Sequence, residues 1–424
     1  MLSMTAREEW RSYWPIVLAC TAGMTMPVVA YVTLGLFLTP LSQEFGWSRT
    51  LITAGTGVVA ALTIVVSPFV GAAIDKWGAR KFIVFGLVLM GLSIASFSLA
   101  NGSAVQWLAL WSVYAVISLL LKFTAWMSII VHAFEKGRSL ALAIILCGPA
   151  LGFALAPPLA QVLIDGYGWR TAYLTLGFGW MVPTWLLAFV FIRDVRPDRK
   201  KPPRIEQGAE AFGTDSMNAG LPGLSIHEAL RNISLWRIAL ATLFTLLINA
   251  VLVIHKVPIL ELAGVSRRDA ALLASLSGIA TLIGTLTTSW LMARFHPGVI
   301  GATINFVLAV ALIPLLDQFS TPTTIVISML FVGFAGGATA QICSYLTSVY
   351  GGLRNFGKIY GVMSSIVALC SASGGMLGGL VYDLTGSYET FILLGIPAVC
   401  MSGLLLFGLG PVPDWGCPQK AYLG

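Results

Sequence analysis

Charge is scarce in this chain. Asp, Glu, Lys and Arg together make up 10% of its 424 residues, against roughly 25% in an ordinary soluble domain. Acids are the scarcer sign, 18 against 25 Lys and Arg. Beside a hydrophobic fraction of 57%, that poverty excludes a soluble enzyme, a secreted disulfide scaffold and a disordered chain. Histidine numbers four and cysteine six. Cys20, Cys147, Cys343, Cys370 and Cys400 fall in apolar runs and Cys417 in the tail, with no paired spacing. Neither disulfides, a metal site nor a cofactor is therefore expected. The loops hold no nucleophile arrangement or phosphate loop, so no enzymatic activity is expected. The formal charge of +7 comes without a basic groove or motif for nucleic acid. The first fourteen residues lack the charged-then-small pattern of a removable leader.

What the chain has in abundance is long apolar runs. Twelve are found, at 15–41, 51–74, 82–100, 106–131, 139–164, 171–192, 238–257, 270–292, 299–316, 323–347, 359–381 and 388–410. Each is of the length that crosses a bilayer, about 20 residues. The expected fold is an all-α integral membrane protein with twelve transmembrane helices in two six-helix bundles. Basic residues near span ends mark the cytoplasmic side. With the N-terminus inside, nineteen of the 25 Lys and Arg lie inside and five outside, so both termini are expected to be cytoplasmic.

The longest polar segment, from Asp194 to Ile233, divides the spans six and six. The expected division is thus 1–193 for one bundle, 194–236 for a cytoplasmic linker and 237–424 for the other bundle. The linker's end has apolar residues at Ile226, Leu230, Ile233 and Trp236, the spacing of an amphipathic interfacial helix. The halves also echo each other. Asp165-Gly-Tyr-Gly before the sixth span and Asp383-Leu-Thr-Gly before the twelfth each place an acid and a glycine turn at the end of a Gly-rich span, as expected for an internal repeat.

Between the second and third spans the chain reads Gly71-Ala-Ala-Ile-Asp75-Lys76-Trp-Gly78-Ala-Arg80-Lys81. This resembles the signature loop of the major facilitator superfamily, and the resemblance gives Gly71, Asp75, Lys76, Gly78 and Arg80 a conformational-gating role. Phe45-Gly-Trp-Ser-Arg-Thr50, Tyr167-Gly-Trp-Arg-Thr-Ala-Tyr173, His255-Lys-Val-Pro258, Phe356-Gly-Lys-Ile-Tyr-Gly361 and Tyr382-Asp-Leu-Thr-Gly386 are similar to stretches of its monocarboxylate-porter and oxalate/formate-antiporter branch. One departure bears on function. Where the branch commonly has an arginine after a glycine in span eight and an aspartate before the final arginine, this chain has Thr285 and Ala293.

All 18 acids can be placed in loops or at span ends, which leaves Lys122 in span four as the mid-bilayer charge. A cation there costs roughly 2.5–3.5 kcal/mol on insertion scales, so water, backbone carbonyls or an anionic ligand must offset it. A continuous helix would align Trp111, Ala115, Ser118, Lys122, Trp126 and Ile129 on one face. Lys122 is read as the substrate-anion site, the alternative being a structural lysine that snorkels. Trp126 is the aromatic neighbour. Tyr31, one turn after Pro27, Asn249 in span seven, and Gln341 with Tyr345 in span ten are further candidates for binding a carboxylate, interhelical hydrogen bonding being the equal alternative. His255 is a candidate proton-coupling group, with a structural role as its alternative.

These residues point to a secondary active transporter of organic monocarboxylates, an aromatic acid or a short 2-oxo or 2-hydroxy acid. A monoanion entering against the membrane potential pays about 2.3 kcal/mol per 100 mV, so proton-coupled uptake by alternating access is expected, with Lys122 carrying proton and carboxylate together. The alternatives are a carboxylate/carboxylate exchanger and a metabolite or drug exporter. The partners expected are the organic anion, protons and the lipid bilayer. The protein is expected to work as a monomer, multi-pass in the plasma (inner) membrane.

Overall fold

The computed structural model describes residues 6–134, 137–192, 223–316, 321–352 and 354–413. Among them the chain is helical, with one isolated antiparallel bridge between Gly223 and Gly352. The helices are α1 (Ala6–Thr25), α2 (Val29–Phe45), α3 (Arg49–Trp77), α4 (Ala79–Ser96), α5 (Ala104–Leu120), α6 (Phe123–Ala133), α7 (Arg138–Leu146) and α8 (Gly148–Phe191). There follow α9 (Ile226–Arg231), α10 (Ile233–Leu262), α11 (Arg267–Arg294), α12 (Pro297–Leu312), α13 (Pro322–Gly351), α14 (Phe356–Thr385) and α15 (Glu389–Phe407). An apolar environment offers backbone groups no water, so each segment must satisfy its own N–H and C=O groups, and only the helix does so within one segment.

Nine helical stretches among the described residues are long and apolar enough to cross a bilayer, and the protein is a multi-pass membrane protein. The stretch Leu140–Phe191, at 52 residues, is too long for one crossing. It holds the runs expected as spans five and six, parted at Gly168, whose φ of +79° no helix accommodates. The second and eleventh runs lie in α3 and α14, of 29 and 30 residues. The first run is broken by a tight turn at Met26–Val28 around Pro27. The interfacial helix also differs from expectation. It ends at Arg231 because the Asn232 side chain caps α10, its Oδ1 accepting the N–H groups of Ser234 at 2.9 Å and Leu235 at 3.2 Å. A capping box between Ser225 and Glu228 starts α9. Linker residues 194–222 lie outside the described residues.

The chain forms two compact units. One comprises Met1–Arg199, Val253–Ile279 and Gly375–Leu384, the other Lys200–Leu252, Ala280–Gly374 and Thr385–Gly424. In the first, α1 and α4 pack on α8, and α3 on α5. Parts of α10, α11 and α14 belong to this unit because glycines let backbones meet there. Gly35 of α2 lies against the Ile254 carbonyl, Gly278 of α11 against the Ala154 backbone, and Gly379 of α14 against Arg49. A side chain at any of the three would strike backbone. Asp383 closes the same region. Its carboxylate accepts the N–H of Arg49 at 3.0 Å and of Thr50 at 2.9 Å, capping α3, while the Arg49 guanidinium stacks on Tyr382. Partial burial raises the Asp383 pKa, but the hydrogen bonds from Thr50 and Arg49 outweigh it and hold the carboxyl below the usual range.

In the second unit α12 packs on α13 and α15, and α11 packs on α13 through Gly284 and Gly337, each set against a backbone carbonyl of the other helix. Its core carries a closed polar network. The Thr245 hydroxyl donates to Asn305 Oδ1 at 2.9 Å, Asn305 Nδ2 donates to Ser402 Oγ at 3.1 Å, and Ser402 Oγ donates to the Ala241 carbonyl at 2.9 Å, all buried. Asn305 joins three helices, and truncating it removes two buried hydrogen bonds while Thr245 and Ser402 keep their own contact at 2.8 Å. Asn305→Ala is therefore expected to cost about 1–3 kcal/mol, read as a lowered melting temperature of the detergent-purified protein, whereas Asn305→Gln recovers part of the loss.

Candidate functional site

Lys122 does not sit within a helix. The run expected as one continuous span is two helices, and Lys122 occupies the joint between α5 and α6 with φ −56° and ψ 148°. The break has a local cause. In an unbroken helix the Leu121 carbonyl would accept the Ala125 N–H. Instead the Trp126 indole N–H donates to Leu121 O at 3.0 Å, and Ala125 N–H turns to the Lys122 carbonyl at 2.9 Å. The indole fits because it lies over Gly23 of α1, where any side chain would collide with the ring.

This revises the expected face. Trp126 is fully buried between α6 and α1 and is not among the residues that line the cavity at Lys122. That cavity, of about 330 Å³, is lined by Lys122, Tyr31, Thr63, Trp111, Tyr114, Ser118 and Phe123, with Met24, Pro27, Val28, Val59, Leu119, Leu121 and Pro149. It lies wholly in the first unit. Its size is at the small end of ligand sites. Among the described residues Lys122 is the one formally charged group in the lining, half-buried, and a helix break is where membrane carriers place ion and substrate contacts.

The hydroxyls around it are already aimed. Tyr114 Oη donates to the Pro27 carbonyl at 2.6 Å, Ser118 Oγ to Ala115 O at 2.7 Å, and Thr63 Oγ1 to Val59 O at 2.7 Å. Their protons are given to backbone carbonyls, whereas the buried Trp111 Nε1 in the same lining has no hydrogen-bond partner among the described residues, and the Lys122 ammonium and the Tyr31 hydroxyl share that lining. The arenes of Trp111, Tyr114, Tyr31 and Phe123 make the remaining wall apolar. Trp111 stands 4.9 Å from Phe97 and 5.3 Å from Tyr114 between ring centroids, and its ring lies over Gly55, so this wall is fixed by packing.

Of the residues the sequence singles out, the structure therefore brings Tyr31 to Lys122. Asn249, Gln341 and Tyr345 belong to the second unit. Asn249 is buried, its Nδ2 donating to Thr245 O at 3.0 Å, and Gln341 and Tyr345 are half-buried on α13. His255 is fully buried with Nε2 at 2.8 Å from the Gly375 carbonyl. In the signature loop, Gly78 has φ +86° and starts α4, and Arg80 is half-buried. The side chains of Gly71, Asp75 and Lys76 lie outside the described residues, as does that of Ala293. Thr285, where the branch resemblance expects arginine, bonds the Thr281 carbonyl of its own helix at 2.9 Å and the Gly337 carbonyl of α13 at 3.2 Å. Lys256, at the end of the run 238–257 and counted among the five outer basic residues, lies buried inside α10 and donates to Ser277 Oγ at 2.7 Å, and α10 runs on to Leu262.

Comparison with known proteins agrees with this architecture. The family model of the Major Facilitator Superfamily matches residues 16–260 and 238–421. Monocarboxylate transporter 13 of Bos taurus is 27% identical over 368 residues, covering 82% of this chain and 79% of its own. Monocarboxylate transporter 12 of Xenopus laevis is 22% identical, covering 94% and 88%, and monocarboxylate transporter 11 of Mus musculus is 25% identical, covering 93% and 87%. The crystal structure of a bacterial homolog to the human lysosomal transporter Spinster, inward-facing and unoccupied, has a TM-score of 0.65 at 16% identity over 96% of this chain and 94% of that one, a likeness of fold. With both halves matched, the chain belongs to the Major Facilitator Superfamily, and its relatives there are of the monocarboxylate-porter branch.

Proposed function

We propose that this protein carries organic monocarboxylates into the cell together with a proton, and that the carboxylate binds Lys122. The observation that carries this reading is Lys122, held at a helix break and the one charged residue among the described residues that line a small aromatic cavity. One ammonium matches one carboxylate, and a dicarboxylate would leave its second charge facing arene walls. Tyr31 supplies a second donor, and the rings of Trp111 and Phe123 receive an apolar body, that of an aromatic acid or a short 2-oxo or 2-hydroxy acid. The relatives named as monocarboxylate transporters support the same class.

The carrier works by alternating access of two six-helix bundles, residues 1–193 and 237–424, joined by the cytoplasmic segment 194–236, with both termini cytoplasmic and the protein a monomer in the inner membrane. The signature stretch from Gly71 to Arg80 gates the change. The positive charge stands in the N-terminal half, and Thr285 occupies the place of the arginine in the C-terminal half.

The carboxylate assignment is tested by thermal shift on the purified wild type and Lys122→Gln against aromatic acids, short monocarboxylates, dicarboxylates, sugars and organic cations. A ligand that binds the folded state stabilises it by RT ln(1 + [L]/Kd). A monocarboxylate that shifts the wild type and not the mutant is the expected result; stabilisation of both forms by neutral or cationic compounds alone would overturn it. Trp126→Phe removes the hydrogen bond that holds the break while leaving Lys122 in place. It is expected to weaken carboxylate binding about fivefold, the worth of one hydrogen bond, measured by titrating the same shift.

A further inference from the structure

Lys256 is a buried cation for which carboxylate binding at Lys122 has no use. It is 7% exposed. Its amine donates to Ser277 Oγ of α11, and that hydroxyl gives its own proton to the Ala274 carbonyl at 2.8 Å. Ser277 is its hydrogen-bond partner among the described residues, where it makes no ion pair. On α11 the same face carries Ala270 and Ala274, both buried.

The charged and titratable groups of the surrounding elements are engaged elsewhere. His255 faces the Gly375 carbonyl on α14. Glu261 pairs with Arg267 at 3.3 Å, and Arg267 also reaches the Leu36 carbonyl on α2. Asp383 caps α3, and Arg49 lies on Tyr382. An ammonium has three donors, and among the described residues this pocket meets one of them. A desolvated ammonium short of partners is unfavourable, whereas an amine donating once to Ser277 is not.

The turn that bears Lys256 is also built to part. Pro258 has no N–H, so the Ile254 carbonyl four residues back lacks its helical donor. That carbonyl lies against Gly35 of α2, a backbone contact with no side chain of Gly35 interlocked.

We propose that Lys256 is the proton carrier of this protein, sheltered against Ser277 while α10 lies on α2 and α11, and protonated when this turn is wetted in the alternate state of the cycle. The proposal rests on the carboxylate-carrier reading and divides its labour. Lys122 holds the anion, and Lys256 takes one proton from hydronium, forming an N–H bond as an O–H bond of hydronium breaks. Loaded and empty carriers then have equal charge, and the membrane potential does not oppose loading. Inside, the amine returns the proton to water as the turn closes again.

The test uses the full-length protein in liposomes enclosing a pH-sensitive dye, with lactate, pyruvate, benzoate and phenylacetate as probes. In the wild type, an acid exterior drives accumulation and carboxylate entry acidifies the lumen. Lys256→Met is expected to retain the thermal shift by the same carboxylate within about twofold and to exchange carboxylate for carboxylate, yet to lose accumulation driven by the pH gradient and the accompanying acidification. Lys256→Gln, which keeps a donor toward Ser277, is expected to behave likewise and serves if the methionine variant does not fold. Gradient-driven accumulation at the wild-type level in either variant overturns the proposal alone, as does carboxylate uptake without proton movement in the wild type. No thermal shift by any carboxylate in the wild type overturns the carrier reading, and this proposal with it.

Discussion

The hydrogen bond from the Trp126 indole to the Leu121 carbonyl decides the chemistry of the first unit. It substitutes a side-chain donor for a backbone donor at the one place where the fourth span is interrupted. In an apolar environment a carbonyl left without a partner is costly, and at the interruption Trp126 supplies one to Leu121. Gly23 makes room for the ring, and the ring in turn keeps α5 and α6 as separate rods. The charge then stands at a joint, facing a cavity, rather than on the flank of a continuous helix.

Glycine and proline set the rest of the arrangement. Gly35, Gly278 and Gly379 let parts of α10, α11 and α14 reach the N-terminal helices at backbone distance, which is why the compact unit follows contacts and not the linker. Pro27 breaks the first helix beside the cavity and its carbonyl receives the Tyr114 hydroxyl. Polar closure in the second unit comes from Thr245, Asn305 and Ser402. Both units use backbone contact at glycine, at Gly35, Gly278 and Gly379 in the first and at Gly284 and Gly337 in the second, and the second adds a hydrogen-bond network in the core of α10, α12 and α15.

The departure at Thr285 gains meaning from its surroundings. Its hydroxyl bridges two backbone carbonyls where α11 and α13 approach through Gly284 and Gly337. A long guanidinium has no place in so close a crossing unless the helices move apart. The absence of the branch's arginine is therefore a packing feature of this chain, and the proposed anion site is the cation on the other half.

Much was legible in the sequence because composition and hydropathy report directly on the solvent. Scarce charge and long apolar runs dictate membrane helices, since every backbone group must be satisfied in place. The signature stretch pointed to the family, and a lone lysine in an apolar run, with Tyr31 one turn past a proline, pointed to the cavity. Periodicity could not show the break at Lys122, because no proline or glycine marks it; the cause is a side chain four residues on, and its room comes from Gly23 about a hundred residues away. Nor could it place the amine of Lys256, which reads as the outer end of the seventh run beside Pro258 and is buried because α10 continues past the proline and sets it against Ser277 of α11. Sequence by itself determined the solvent, the helices and the charge inventory, which are local properties. Tertiary structure alone decided which carbonyls stay unpaired, which cations are enclosed and which hydroxyls share a cavity, because each depends on contact between segments far apart in the chain.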